Sequence, residues 1–162
     1  MTWEPAARFA LLPSKVQSPE SKASTPHFNQ RMKTTFGFEN LTVWQEARRL
    51  NRKIYAVSRS FPTDEQYVLT AQLRRASISV SSNIAEGSGR NSDKDFAHFL
   101  ELAYASLMEV ASQLFLALDQ DYISEETLAE LHGEIKGEAA QIAALNRSLA
   151  VSSAKVRAKK MR

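Results

Sequence analysis

The chain has 162 residues, 43% hydrophobic and 24% charged, with five Gly, five Pro, no Cys and a formal net charge of +3. That is the composition of one globular domain. The absence of cysteine excludes a disulfide framework, a thiol nucleophile, a zinc knuckle and an iron–sulfur cluster, and makes a cytoplasmic address the expectation. The small net charge conceals three unlike pieces. Residues 1–37 carry five basic and two acidic side chains, residues 38–151 eleven and sixteen, and residues 152–162 five and none.

The N-terminal 37 residues read as a disordered tail. Pro5, Pro13, Pro19 and Pro26 fall among Ser, Thr, Lys and Gln with no apolar period, too little apolar surface to offset the entropy of ordering. The longest apolar run there, Phe9 to Leu12, is too short for a secretory signal. No stretch of the sequence approaches the roughly 20 apolar residues of a membrane span, so no membrane partner is expected. Regular patterning begins after Met32, which is a candidate initiator with residues 1–31 as an upstream extension.

From residue 38 onward apolar residues recur at spacings of three and four, a helical period. The first helix, over 40–60, aligns Val43, Ala47, Leu50, Ile54, Val57 and Phe61 and stops at Pro62. Thr63 with Gln66 forms a capping box for the second, which aligns Leu69, Leu73, Ala76, Val80, Asn83 and Gly87. Gly87 and Gly89 are expected to end it in the left-handed conformation. Ser92 with Asp95 caps the third helix, aligned on Phe96, Phe99, Leu100, Ala103, Leu107, Val110, Leu114 and Leu118. Ser124 caps the fourth, with Glu125 and Glu126 in its first turn and a core line of Leu128, Leu131, Ile135, Ala139, Ile142, Leu145 and Leu149. Long helices joined by short loops predict an all-α, antiparallel up-down-up-down four-helix bundle over residues 38–151, followed by a basic C-terminal arm over 152–162.

The helices carry more apolar surface than one core uses. Tyr67, Ala71, Ile78 and Ala85 make a second stripe on the second helix, and Ala97, Tyr104, Met108, Ala111 and Phe115 lie beside the core line of the third. Trp44 and Tyr55 stand off the core line of the first. A broad bundle core would absorb part of this. Otherwise Trp44, Tyr55, Tyr67, Ile78, Tyr104, Met108 and Phe115 are candidates for a subunit interface, since soluble monomers avoid large apolar patches.

The runs FENLTVWQEARRL, FPTDEQYVLTAQLRRASISVSSNIAEGSGRNSDKDFAHFLELAYASLMEV and QDYIS resemble the four-helix bundle family encoded in intervening sequences of bacterial 23S ribosomal RNA genes. That family looks to include the accessory variability determinant of diversity-generating retroelements. The resemblance implies a non-enzymatic bundle that assembles as a ring-like homopentamer near RNA or DNA, with a reverse transcriptase as partner in the retroelement setting. Three positions depart from the pattern: Ala105 where Gly is usual, Ala111 where an acidic residue is common, and Asp121 where Gly precedes Tyr.

Within the motif, Asn83 falls on the core line as a candidate register-setting amide. Glu86 is placed to pair with Arg90, and Gly87 to end the helix. For nucleic acid the candidates are Arg48, Arg52, Arg59, Arg74, Arg75 and Arg90, then Lys155, Arg157, Lys159 and Lys160 of the arm. The same arginines would serve as a solvated face, or meet the acidic half of a neighbouring protomer, since residues 91–151 hold eleven acidic and three basic side chains. No catalytic constellation, metal set or cofactor motif is present in the pattern. Asp95 and His98 both point away from the core line, and a di-iron bundle needs inward carboxylates on further helices. The expectation is a nucleic-acid-associated accessory or scaffold protein. A protein–protein interaction module with no nucleic-acid role is the alternative.

Overall fold

Apolar side chains at three- and four-residue spacing wind the chain into four helices: α1 (Thr42–Val57), α2 (Leu69–Ser88), α3 (Asp93–Asp119) and α4 (Glu125–Lys160). The computed structural model describes residues 36–160, and their side chains through 151. The expected tail before residue 36 and the Met32 start lie outside the described residues. Short 3₁₀ turns, Gly37–Asn40 and Thr63–Tyr67, precede α1 and α2. Each helix packs on its neighbours in the order α1, α2, α3, α4 and back to α1, and among the described residues no Cα atoms of the diagonal pairs come within 8 Å of one another. That is the cross-section of a four-helix bundle.

The middle of each expected core line is buried, while Val57, Phe96, Phe99, Leu118, Ala139, Leu145 and Leu149 are half-buried. Val43, Ala47, Leu50 and Ile54 of α1 meet Leu69, Leu73, Ala76, Val80 and Ile84 of α2, Leu100, Ala103, Leu107, Val110 and Leu114 of α3, and Leu128, Leu131, Ile135 and Ile142 of α4. Burying each of the larger side chains stabilises the fold by about 1.5–3 kcal/mol. The Phe61 and Tyr122 rings meet at 5.5 Å, tilted by 45°. Asn83 departs from its expected place. It is half-buried beside the core line, which runs through Ile84 instead, and its Nδ2 donates to the Ser79 carbonyl at 2.9 Å and to Ser79 Oγ at 3.1 Å. Ser79 Oγ in turn lies 2.9 Å from Ser106 Oγ, so the amide supports a polar contact between α2 and α3.

The helix ends correct two expectations and bear out two. Thr63 caps no α-helix. A 3₁₀ turn occupies Thr63–Tyr67, Val68 breaks the path (φ −110°, ψ −102°), and α2 begins at Leu69, whose N–H donates to Glu65 Oε2 at 3.1 Å. Gly87 does not leave the helix and no glycine among the described residues has a positive φ. Its value is closeness: a Cβ there would stand 2.6 Å from Phe99 Cβ and 2.7 Å from Phe96 Cδ2. Ser92 Oγ accepts the Asp95 N–H at 3.1 Å, and Ser124 Oγ accepts the Thr127 N–H at 3.3 Å, as capping requires.

The exit of α3 explains why glycine suits position 121. Asp121 N–H donates to the Leu118 carbonyl at 2.8 Å and Tyr122 N–H to the Ala117 carbonyl at 2.9 Å, the paired bonds of a Schellman turn. The turn forces Asp121 to φ 57°, and it is the one non-glycine with positive φ among the described residues. Asp121→Gly is therefore expected to raise stability by about 0.5–1 kcal/mol, relief of left-handed strain outweighing the extra freedom of the unfolded chain. Urea denaturation of the two proteins checks the sign, and a loss of stability would contradict the strain argument.

Candidate subunit and nucleic-acid interface

The arginines divide into two groups according to what they touch. Arg74 is held inside the protomer: Nε donates to Ser58 Oγ at 2.8 Å, Nη2 donates to the Ser58 carbonyl at 3.2 Å, and the guanidinium lies over the Tyr55 ring at 4.9 Å. It closes the C-terminus of α1, whose last carbonyls have no helical partner. Arg90 pairs with Glu86, as expected, and stacks over Phe99 at 4.5 Å. These two are engaged within the fold. Arg48 stands exposed over the Trp44 ring at 5.7 Å. Arg52, Arg59 and Arg75 are exposed and make no hydrogen bond or ion pair among the described residues. Arg48 and Arg52 share one side of α1 by their spacing of four, whereas α1 ends at Val57, short of the expected residue 60, and leaves Arg59 in the following turn. The backbone of α4 is helical through Lys160, while the side chains of Lys155, Arg157, Lys159 and Lys160 lie outside the described residues.

Of the apolar interface candidates, Tyr67, Ile78, Tyr104, Met108 and Phe115 are exposed, Tyr67 to 85%. Trp44 and Tyr55 are half-buried and partnered within the protomer. Trp44 meets Phe38 edge-on at 4.9 Å, and Tyr55 lies beneath Arg74. The structure adds Leu102, Leu116 and Val68 to the exposed set. Two of these, Leu102 and Leu116, are also on α3, about a third of a turn round the helix from the Tyr104–Met108–Phe115 line. That helix is long and apolar enough, by length and composition, to cross a membrane, contrary to the sequence expectation, and 33% of its most apolar 18-residue window is buried in the protomer. The apolar character of α3 thus exceeds what its own bundle covers.

A carboxylate missing from the sequence reading lies at the α1–α4 seam. Glu138 is 3% exposed and neither of its oxygens has a hydrogen-bond partner among the described residues. Burial first, and the nearby Glu46 second, push its carboxyl up to about 8. It borders a cavity of about 290 Å³ whose other walls include Glu46, Arg49, Glu134 and Gln141. Further along the seam, Lys53 is held well into its charged form by Glu130 and then Glu134, bridging α1 to α4. The pattern 131, 135, 138, 142 continues a three-four repeat as well as 139 does, a signal for Glu138 that its charge masked. Among the described residues no three His, Asp or Glu side chains group to hold a metal ion.

These features define a four-helix bundle with an arginine-bearing side on its first helix and an uncovered apolar side on its third. Residues 39–144 match the family model of the 23S rRNA-intervening sequence protein, and the chain belongs to that family. Among solved structures it is similar to a protein with unknown function from the S23 ribosomal protein family of Bacteroides thetaiotaomicron. The two are 19% identical with a TM-score of 0.60 over 65% of this chain and 95% of that one, a likeness of fold. No curated protein matches.

Proposed function

We propose that the protein is a non-enzymatic, homo-oligomeric bundle that associates with nucleic acid as an accessory or scaffold. The observation that carries this reading is the pair of surfaces on one protomer. Arg48 and Arg52 lie along one side of α1, exposed and without ion pairs among the described residues, with Arg59 exposed in the turn that follows, while Tyr104, Met108 and Phe115 leave an apolar line on α3 uncovered. A second copy of the chain is the partner that removes the apolar line from water, and repetition of the arginine side around an assembly multiplies weak phosphate contacts.

Fluorescence-detected sedimentation velocity of the full chain with labelled structured RNA, over a salt series, tests both halves. The expected protein species is heavier than the 18.1 kDa protomer. RNA is expected to sediment with it at low salt and to be released as salt rises. The Arg48→Gln/Arg52→Gln double variant should lower the slope of log affinity against log salt by about 1–2. A monomer overturns the oligomer reading. An oligomer that leaves RNA free at low salt, or binds it without salt dependence, supports the protein-interaction alternative instead.

A further inference from the structure

Where α1 hands over to α2, the fold leaves a cavity of about 220 Å³ whose walls include Ser58, Arg59, Thr63, Gln66, Thr70 and Arg74, with no carboxylate among them. Arg74 is fixed there by its two bonds to Ser58 and by the Tyr55 ring, which occupy two of its five N–H donors. Arg59 borders the same space and has no partner among the described residues. Glu65, adjacent in the chain, is committed elsewhere: Oε2 accepts the Leu69 N–H at 3.1 Å and Oε1 the Tyr122 hydroxyl at 3.2 Å.

Thr70 is the telling residue. It is 5% exposed, it borders the cavity, and its hydroxyl makes no hydrogen bond to any described residue, although a helical threonine can bond the carbonyl one turn back. A hydroxyl without a protein partner, bordering the same space as two guanidiniums, is free to donate to an acceptor that enters it. Thr70 is also the second residue of α2, whose first N–H is already taken by Glu65 Oε2, so the positive charge at the cavity comes from the two guanidiniums rather than from the helix end. The cavity is smaller than the roughly 300–1,000 Å³ pockets that take whole drug-sized ligands, so its size suits an anionic group rather than a base and sugar.

We propose that this cavity binds a phosphate group through Arg59, Arg74 and Thr70. The proposal deepens the nucleic-acid reading above and rests on it only for the source of the phosphate. A ³¹P NMR titration of the full chain with inorganic phosphate is the test, with an oligoribonucleotide as competitor. Saturable binding is expected, weakened about tenfold or more by Arg59→Gln and by Thr70→Val, and unchanged by Lys136→Gln on α4. Arg59 is exposed, so its variant keeps the fold and decides the matter even if Thr70→Val does not fold.

Displacement of phosphate by the oligonucleotide identifies the backbone as source, and failure of displacement identifies free phosphate or a small phosphoester. Phosphate binding that survives while RNA fails to sediment with the protein would remove the nucleic-acid reading alone. Non-saturable binding, or full binding by Arg59→Gln, overturns the pocket.

Discussion

Gly87→Ala should destabilise the protein by about 1–3 kcal/mol, the range for overpacking a well-filled core. Alanine in a helix interior is ordinarily better than glycine by about 1 kcal/mol, so the substitution ought to help if position 87 were open. It is not open. The added Cβ would lie 2.6 Å from Phe99 Cβ, an atom fixed to the α3 backbone that no rotamer change can move, and 2.7 Å from the Phe96 ring. Relief requires the start of α3 to shift away from α2. Gly133→Ala on α4 is the matched control, because nothing lies within 4 Å of a Cβ there. It should gain up to about 1 kcal/mol from helix propensity. Urea denaturation of both variants beside the parent protein measures the contrast, and equal effects at 87 and 133 would refute the close-approach account.

Replacing Glu138 with Met is expected to stabilise the protein at neutral and alkaline pH and to flatten its pH profile. The folded-state carboxyl sits at about 8 against an ordinary 4.5, so the folded chain holds a proton that the unfolded chain releases. The contribution is fully favourable below the unfolded value and is lost as pH rises toward and through the folded one, between about 4.5 and 8. Across that window the loss is of order 3–5 kcal/mol, and at pH 7 about 3 kcal/mol of it has accrued. Glu46 and Arg49 face the site from α1 and Glu134 and Gln141 from α4, and none of them hydrogen-bonds either Glu138 oxygen. Methionine has nearly the same length and no charge to desolvate. Chemical denaturation from pH 5 to 9 reads the difference. Parallel curves for parent and variant would show that Glu138 does not carry the pH dependence.

Much of the bundle is legible in the sequence because helical burial follows spacing. Leu50 and Ile54, Leu73 and Val80, Leu107 and Leu114, and Leu131 and Ile135 all lie where a three-four repeat puts them. The caps at Ser92 and Ser124 are equally local, since an N-cap hydroxyl reaches an N–H only two or three residues on. The candidate site is less legible. Arg52 and Arg74 look alike in sequence, yet Arg74 closes the end of α1 across 16 residues of chain and Arg52 meets no partner among the described residues. Trp44 and Tyr55 read as interface aromatics, and their partners Phe38 and Arg74 were not visible from spacing alone.

The four helices, most of their buried faces and the family can be read from the chain alone, because periodicity, capping and motif order are properties of neighbouring residues. Why Gly87 must be small, why position 121 favours glycine, that Glu138 is buried without a partner, and which arginines remain free emerge only from the packed helices. Each of these depends on what a second helix or the next turn brings within a few ångströms of the residue, and no local pattern encodes that distance.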